Sequence, residues 1–143
     1  MIAGLKREKL KPSNIDYVFL THYHLDHVLQ ASVFTKAKIL DGTMIYEDDR
    51  ETEYGETIPG TSIGVISTPG HADELASLLA QTEKGNIMIA SDNFWWIKSE
   101  RQEIDINKQD MFANNIERLK ESRKKILKMA DYVIPGHGKM MKV

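Results

Sequence analysis

Cysteine is absent from the 143 residues. Disulfides are therefore excluded, and any transition metal has only nitrogen and oxygen donors to bind. This composition is compatible with a cytoplasmic setting, which is the expected compartment. Long apolar runs are missing too. No stretch approaches the roughly 20 apolar residues of a membrane span, and residues 1–7 carry no long apolar h-region. No membrane partner is expected. There is no internal repeat, no low-complexity segment, no glycine-rich phosphate loop and no serine triad. Neither sign of charge dominates. The formal net charge is −2, so nothing global points to nucleic acid or an anionic membrane. What remains is an ordinary globular balance of 41% hydrophobic and 28% charged residues. The length predicts one domain, 1–143, which at this size hides roughly two-thirds of the unfolded surface.

Against that plain background the five histidines are conspicuous, because three short motifs hold all of them. The first is Thr21-His22-Tyr23-His24-Leu25-Asp26-His27. The second is Thr68-Pro69-Gly70-His71 and the third is Pro135-Gly136-His137-Gly138. Asp92 lies between the last two, just after an apolar run. His22 and His24 are two residues apart, and on extended backbone such side chains point the same way. With His71 they make the three-nitrogen shell of a hydrolytic zinc site. Asp26 and His27 sit at a helix start and suit a second ion, which His137 completes. Asp92 can bridge both ions through its two oxygens. Paired metals of this kind turn water into a nucleophile at neutral pH. A lone histidine is more often a hydrogen-bonded core residue. The full His-x-His-x-Asp-His string with two Pro-Gly-His motifs is far more specific.

Apolar strands lead into these motifs. Residues 3–11 read as a short helix stopped by Pro12. Residues 15–20 read as a buried strand, and a helix is expected from Asp26 and His27 to near Ala37. Residues 38–40 are a short strand, and 46–61 reads as irregular. A strand is expected over 62–67. Leu75–Gln81 and Asn86–Ala90 flank a hairpin signature around Gly85, and 97–109 is a polar loop. Helical spacing of Phe112, Ile116, Leu119, Ile126, Leu127 and Ala130 predicts a helix over 110–129. Residues 132–134 are a last short strand. Four times an apolar strand stops just before a candidate ligand.

With those motifs in that order, the sequence resembles the metallo-β-lactamase superfamily over essentially its whole length. Within it the chain is most similar to the group named for metallo-β-lactamase-domain-containing protein 1. The pointers are Ser91-Asp92-Asn93-Phe94-Trp95-Trp96 and Ser122-Arg123-Lys124-Lys125-Ile126-Leu127, with Ala130-Asp131 after it. The resemblance implies an α/β (α+β) chain folded as an αββα sandwich with the metals at one edge. It places His22, His24 and His71 on one metal, Asp26, His27 and His137 on the other, and Asp92 between them. It implies two Zn2+, with iron or manganese as alternatives. A hydroxide bridging the metals would attack, with Asp26 as the catalytic residue that orients it and carries its proton. Superfamily members usually begin with several strands before the first helix. The chain therefore reads as an N-terminally truncated form, and a homo-oligomer covering the sheet edge is expected. Lactone-cleaving relatives typically carry a tyrosine shortly after the bridging aspartate, where Phe94, Trp95 and Trp96 stand here.

The expected function is a binuclear metal-dependent hydrolase acting on a small-molecule ester or thioester, or on a phosphodiester such as RNA. The competing expectation is a catalytically inactive metal-binding fragment or assembly subunit of this fold. Trp95 and Trp96 suit a pocket floor, a base-stacking platform, core packing or a subunit contact. Arg123, Lys124, Lys125 and Lys128 read as a solvated basic face that complements the helix dipole, or as a site for RNA phosphates. Glu117 and Glu121 are placed to pair with them locally. Tyr23 is placed to reach substrate or to pack the loop. Asp73 and Glu74 are candidate hydrogen-bond partners of ligating histidines, or simply exposed.

Overall fold

A computed structural model describes residues 2–143. The chain forms two compact units, one ending at Tyr54 and the other spanning Gly55–Val143. Each holds one sheet, so the chain is mixed α/β with two sheets. Among the described residues, no helix is long and apolar enough to cross a membrane.

The first unit opens with helix α1 (Ile2–Arg7). It ends earlier than the expected 3–11 because Lys9 takes a positive φ of 59°, which breaks the helical path. Its sheet runs β1 (Tyr17–Phe19), β2 (Lys38–Leu40), β3 (Met44–Glu47) and β4 (Arg50–Glu53). β1 and β2 are parallel, with Phe19 opposite Leu40, and the other pairs are antiparallel. Between β1 and β2 lie helix α2 (Leu25–Val28) and a 3-10 turn, Ala31–Val33. A continuous helix to Ala37 does not form. Short helices depend on a buried apolar face, and Leu25 and Leu29 are 70% and 66% exposed. The β3–β4 hairpin corrects the irregular reading of 46–61. Asp48 turns the chain at φ 54° between paired Glu47 and Arg50. The polar sequence of β4 hid it, since all four of its residues are exposed.

The second unit is a five-stranded sheet in sequential order. It comprises β5 (Gly64–Ser67), β6 (Ala76–Thr82), β7 (Gly85–Trp95), β8 (Tyr132–His137) and β9 (Met141–Lys142). The β6–β7 hairpin forms as the Gly85 turn predicts. β7 runs five residues beyond the expected end at Ala90, however, and carries Asp92 within it. β8 likewise extends through His137, and β9 was not foreseen. Helix α3 (Ile116–Met129) is shorter than 110–129. Asn115 caps it, its side chain accepting from the Arg118 N–H at 3.0 Å. Met88, Ala90, Phe94 and Trp96 of the β7 segment pack with Ile126, Ala130 and Val133 to form the core. Trp96 is thus core packing, whereas Trp95 stays half-buried against Phe112.

The expected solvated basic face on α3 holds for Lys124, whose ammonium meets Glu121, and Lys120 meets Glu117 in the same way. It fails for Arg123, which is 1% exposed. Its guanidinium donates to the carbonyls of Asn93, Ile106 and Lys108 at 2.7, 3.1 and 2.6 Å. Helical geometry explains this, since Arg123 follows Leu119 by four residues and shares its inward face.

Ile126 is fully buried in this core. Ile126→Ala is expected to lower stability by roughly 2–5 kcal/mol, read as a shift in the urea unfolding midpoint at unchanged slope.

Candidate metal centre

In the first unit, β1 ends at Phe19 and delivers residues 21–27 onto the loop beyond it. His24 has extended backbone, φ −63° and ψ 142°, and serves as the residue before α2. His22 is buried, and its ring lies 4.6 Å from that of His24 and 4.2 Å from that of His27. Thr21 Oγ1 lies 3.2 Å from His22 Nδ1, so the tautomer and ring orientation of His22 are coupled to that hydroxyl. Asp26 and His27 open α2, with Asp26 Oδ2 3.6 Å from His27 Nε2. The Asp26 side chain is 58% exposed, against 16% for His27.

The second unit gathers His71, Asp92 and His137. Asp92 Oδ2 lies 3.5 Å from His71 Nε2 and 3.8 Å from His137 Nε2. Both imidazoles thus approach one carboxylate oxygen. A β-bulge is responsible for aiming it. The β7–β8 register shifts between Ile89 and Ser91 and again before Trp95. Ser91 takes a left-handed φ of 48°. Bulges of this kind redirect a side chain from the regular alternation. Gly136 lies against the other oxygen, and a Cβ there would collide with Asp92 Oδ1. Gly70, at φ 135°, is equally constrained, because a Cβ would strike the backbone of Leu119. That close approach seats the His71 loop on α3.

A buried polar network fixes the strand ends behind these candidate ligands. Thr68 and Ser77 hydroxyls meet at 2.7 Å, and Asn93 Nδ2 donates to Thr68 Oγ1 at 3.0 Å. Thr68 precedes His71 and Asn93 follows Asp92, so the network joins the segments that carry both candidate ligands. Gln102 clamps the third motif, accepting from the Lys139 N–H at 3.0 Å and donating to its carbonyl at 3.1 Å. A cleft of about 490 Å3 beside His137 is lined by Trp96, Ile97, Lys98, Gln102 and Lys139.

Asp110 is the residue that sequence reasoning missed. Its Oδ2 lies 2.7 Å from His71 Nδ1, and its side chain is wholly buried. Burial alone would raise its pKa, but hydrogen bonds from His71, Trp95 and the Phe112 N–H outweigh it and hold the carboxyl below its usual range. The loop before α3 supplies Asp110, and the same loop fixes His71 by donation from Asn114 N–H to the His71 carbonyl at 3.1 Å. Of the two expected partners, Asp73 is engaged by another residue. Asp73 pairs with Arg118 at 2.9 Å, and Glu74 is exposed. No local sequence signal marks Asp110, which stands in a polar stretch with other carboxylates.

The family model that describes the metallo-beta-lactamase superfamily matches residues 1–85. The chain belongs to the metallo-β-lactamase superfamily. It is 31% identical to Metallo-beta-lactamase domain-containing protein 1 of Xenopus laevis, over all of this chain and 62% of that protein. The chain thus spans less than two-thirds of that relative's length. Among solved structures it is similar to the hydrolase AbOPH of the β-lactamase superfamily. That match has a TM-score of 0.68 at 15% identity and covers 96% of this chain and 62% of the other. It is also similar to AidC, a dizinc quorum-quenching lactonase, with a TM-score of 0.62 at 14% identity, covering 94% of this chain and 61% of the other. At these identities the likeness is one of fold, and it agrees with the superfamily fold that the motifs imply.

A metallo-β-lactamase chain is expected to hold metal, and the donor chemistry fits. Every candidate ligand is an imidazole or a carboxylate, the donors that borderline divalent cations take. His71 meets a carboxylate through Nδ1, the usual support for an imidazole that ligates through Nε2. Two measurements address Asp110. Asp110→Ala is expected to weaken metal affinity roughly 10–100-fold, read by chelator competition. Acid stability follows from the sign of its shift. A lowered folded pKa contributes stability that is complete above the unfolded value of about 3.9 and lost as pH falls through the folded value. The metal-free wild type is therefore expected to lose stability below about pH 4, and Asp110→Asn to flatten that loss.

Proposed function

We propose that this chain is a binuclear metal-dependent hydrolase, with His22, His24 and His71 serving one ion, Asp26, His27 and His137 the other, and Asp92 between them. The observation that carries this reading is the buried His71–Asp110 pair. It leaves Nε2 of His71 directed toward the carboxylate oxygen that His137 also approaches. Superfamily membership supports it, as does the dizinc relative of similar fold. Zinc is the proposed metal. Bound cations would lower the pKa of a coordinated water and polarise the oxygen of the scissile group. The protein's own residues do the rest. His22 and His71 are held from behind by Thr21 and Asp110, which keep their rings oriented while substrate arrives. Asp26, the exposed carboxylate, takes the proton of the attacking water and hands it to the leaving group. The cleft beside His137, lined in part by Ile97, Lys98 and Lys139, receives the substrate. The bond cleaved is an ester, thioester or phosphodiester.

Metal analysis of the purified chain is expected to give two metals per chain. Turnover is expected on at least one substrate in a panel of thioester, lactone, β-lactam and RNA. His24→Ala is expected to abolish that turnover, and Asp92→Ala to remove at least one metal along with most activity. Two bound metals without hydrolysis of any substrate would overturn the enzyme and favour an assembly subunit. Unchanged metal content in Asp92→Ala would overturn the bridging role.

A further inference from the structure

Asp41 belongs to none of the histidine motifs, yet several hydroxyls converge on it. It is 7% exposed. Its Oδ1 accepts from the Thr43 and Met44 N–H groups, both at 2.8 Å, and Oδ2 accepts from Tyr46 OH at 2.8 Å. Tyr54 OH donates to the Asp41 carbonyl. One more hydroxyl reaches the same Oδ2, that of Tyr23. Tyr23 is the residue between His22 and His24.

The topology explains why these groups meet. β1 and β2 are parallel neighbours, so their carboxyl ends leave the sheet side by side. The Leu20 N–H donates to the Leu40 carbonyl at 2.7 Å, which places Thr21 and Asp41 on adjacent chains. Apart from Tyr23, two backbone N–H groups and the Tyr46 hydroxyl hold the Asp41 carboxylate. Tyr23 is different. The residue is 48% exposed while its hydroxyl is anchored.

We propose that Asp41 and Tyr23 form a strut that presets the His22–Tyr23–His24 loop for metal uptake, making them positioning residues for ligands they do not themselves supply. The proposal rests on reading His22 and His24 as metal ligands. Two imidazoles spaced by one residue form a chelating pair only while the intervening backbone stays extended. Pinning the intervening side chain to a rigid strand end removes the loop's freedom before the ion binds, so less ordering remains to be done on binding. Such outer partners of metal ligands typically change affinity 10–100-fold.

Tyr23→Phe and Tyr46→Phe make the test, since each removes one hydroxyl from the same Asp41 oxygen and only Tyr23 lies between ligands. The full chain is used with zinc alone as the probe, titrated against a chromophoric chelator. Amide hydrogen exchange over residues 21–27 is measured separately in the metal-free protein. Tyr23→Phe is expected to weaken zinc binding roughly tenfold or more and to speed exchange across the loop. Tyr46→Phe is expected to leave zinc affinity within about threefold and exchange at 21–27 nearly unchanged, whatever it does to the melting temperature. Equal effects of the two variants on both readouts would overturn the strut, as would no effect of Tyr23→Phe on either. A wild-type chain that takes up no zinc would overturn the ligand reading beneath it. That failure is distinguishable, because the exchange comparison reports on the strut without metal.

Discussion

An imidazole ligates a metal only through a nitrogen that carries no proton, so something must hold the proton on the other nitrogen. For His71, a proposed ligand, that task falls to Asp110, at 2.7 Å and buried. The pair is a charge-assisted hydrogen bond of the stronger sort, worth about 1.5–3 kcal/mol. It also organises what surrounds it. Trp95 and the Phe112 N–H add their hydrogen bonds to the same carboxylate, and Arg123 holds the chain just before it. The polar segment that leads to α3 is consequently a structural member rather than a free loop.

Arg123 and Asn93 show how the second unit keeps its candidate ligands in register. β7 must leave regular strand geometry to aim Asp92, and Ser91 adopts a backbone conformation that L-residues rarely take. A departure of that kind costs on the order of 1–3 kcal/mol and persists only where the surroundings enforce it. Here they do. Asn93 reaches back to the Ala90 carbonyl at 2.9 Å and across to Thr68, while its own carbonyl accepts from Arg123. The strain sits at the residue before a candidate ligand, and the enforcing bonds come from three different elements.

The sequence made the closeness of His22 and His24 legible because it depends on short spacing. His22 and His24 lie together as alternation on extended backbone requires, and the Gly85 hairpin forms where the turn residues call for it. Tertiary effects were not legible. Nothing around Asp110 distinguishes it from Asp105 or Glu103 until the fold brings it to His71. Arg123 read as a surface charge because a basic run usually is one, and only its offset from Leu119 argued otherwise. The β3–β4 hairpin was hidden because a strand exposed on both faces has no hydrophobic alternation to show. β7 overran its expected end because the bulge lets pairing resume beyond Ser91, an event that periodicity does not register.

Arg123 spends its guanidinium on three carbonyls instead of a carboxylate. Burial lowers its pKa, with Asp110 and Asp105 opposing that effect, yet a guanidinium stays protonated throughout the range in which proteins remain folded. A lysine in its place would have one point of attachment instead of a fork, and could be neutralised in alkali. The cross-tie between the bulged strand and the carboxylate loop is therefore a joint that base does not loosen, which makes alkaline solution a setting in which ligand chemistry can be varied while the frame behind it stays still.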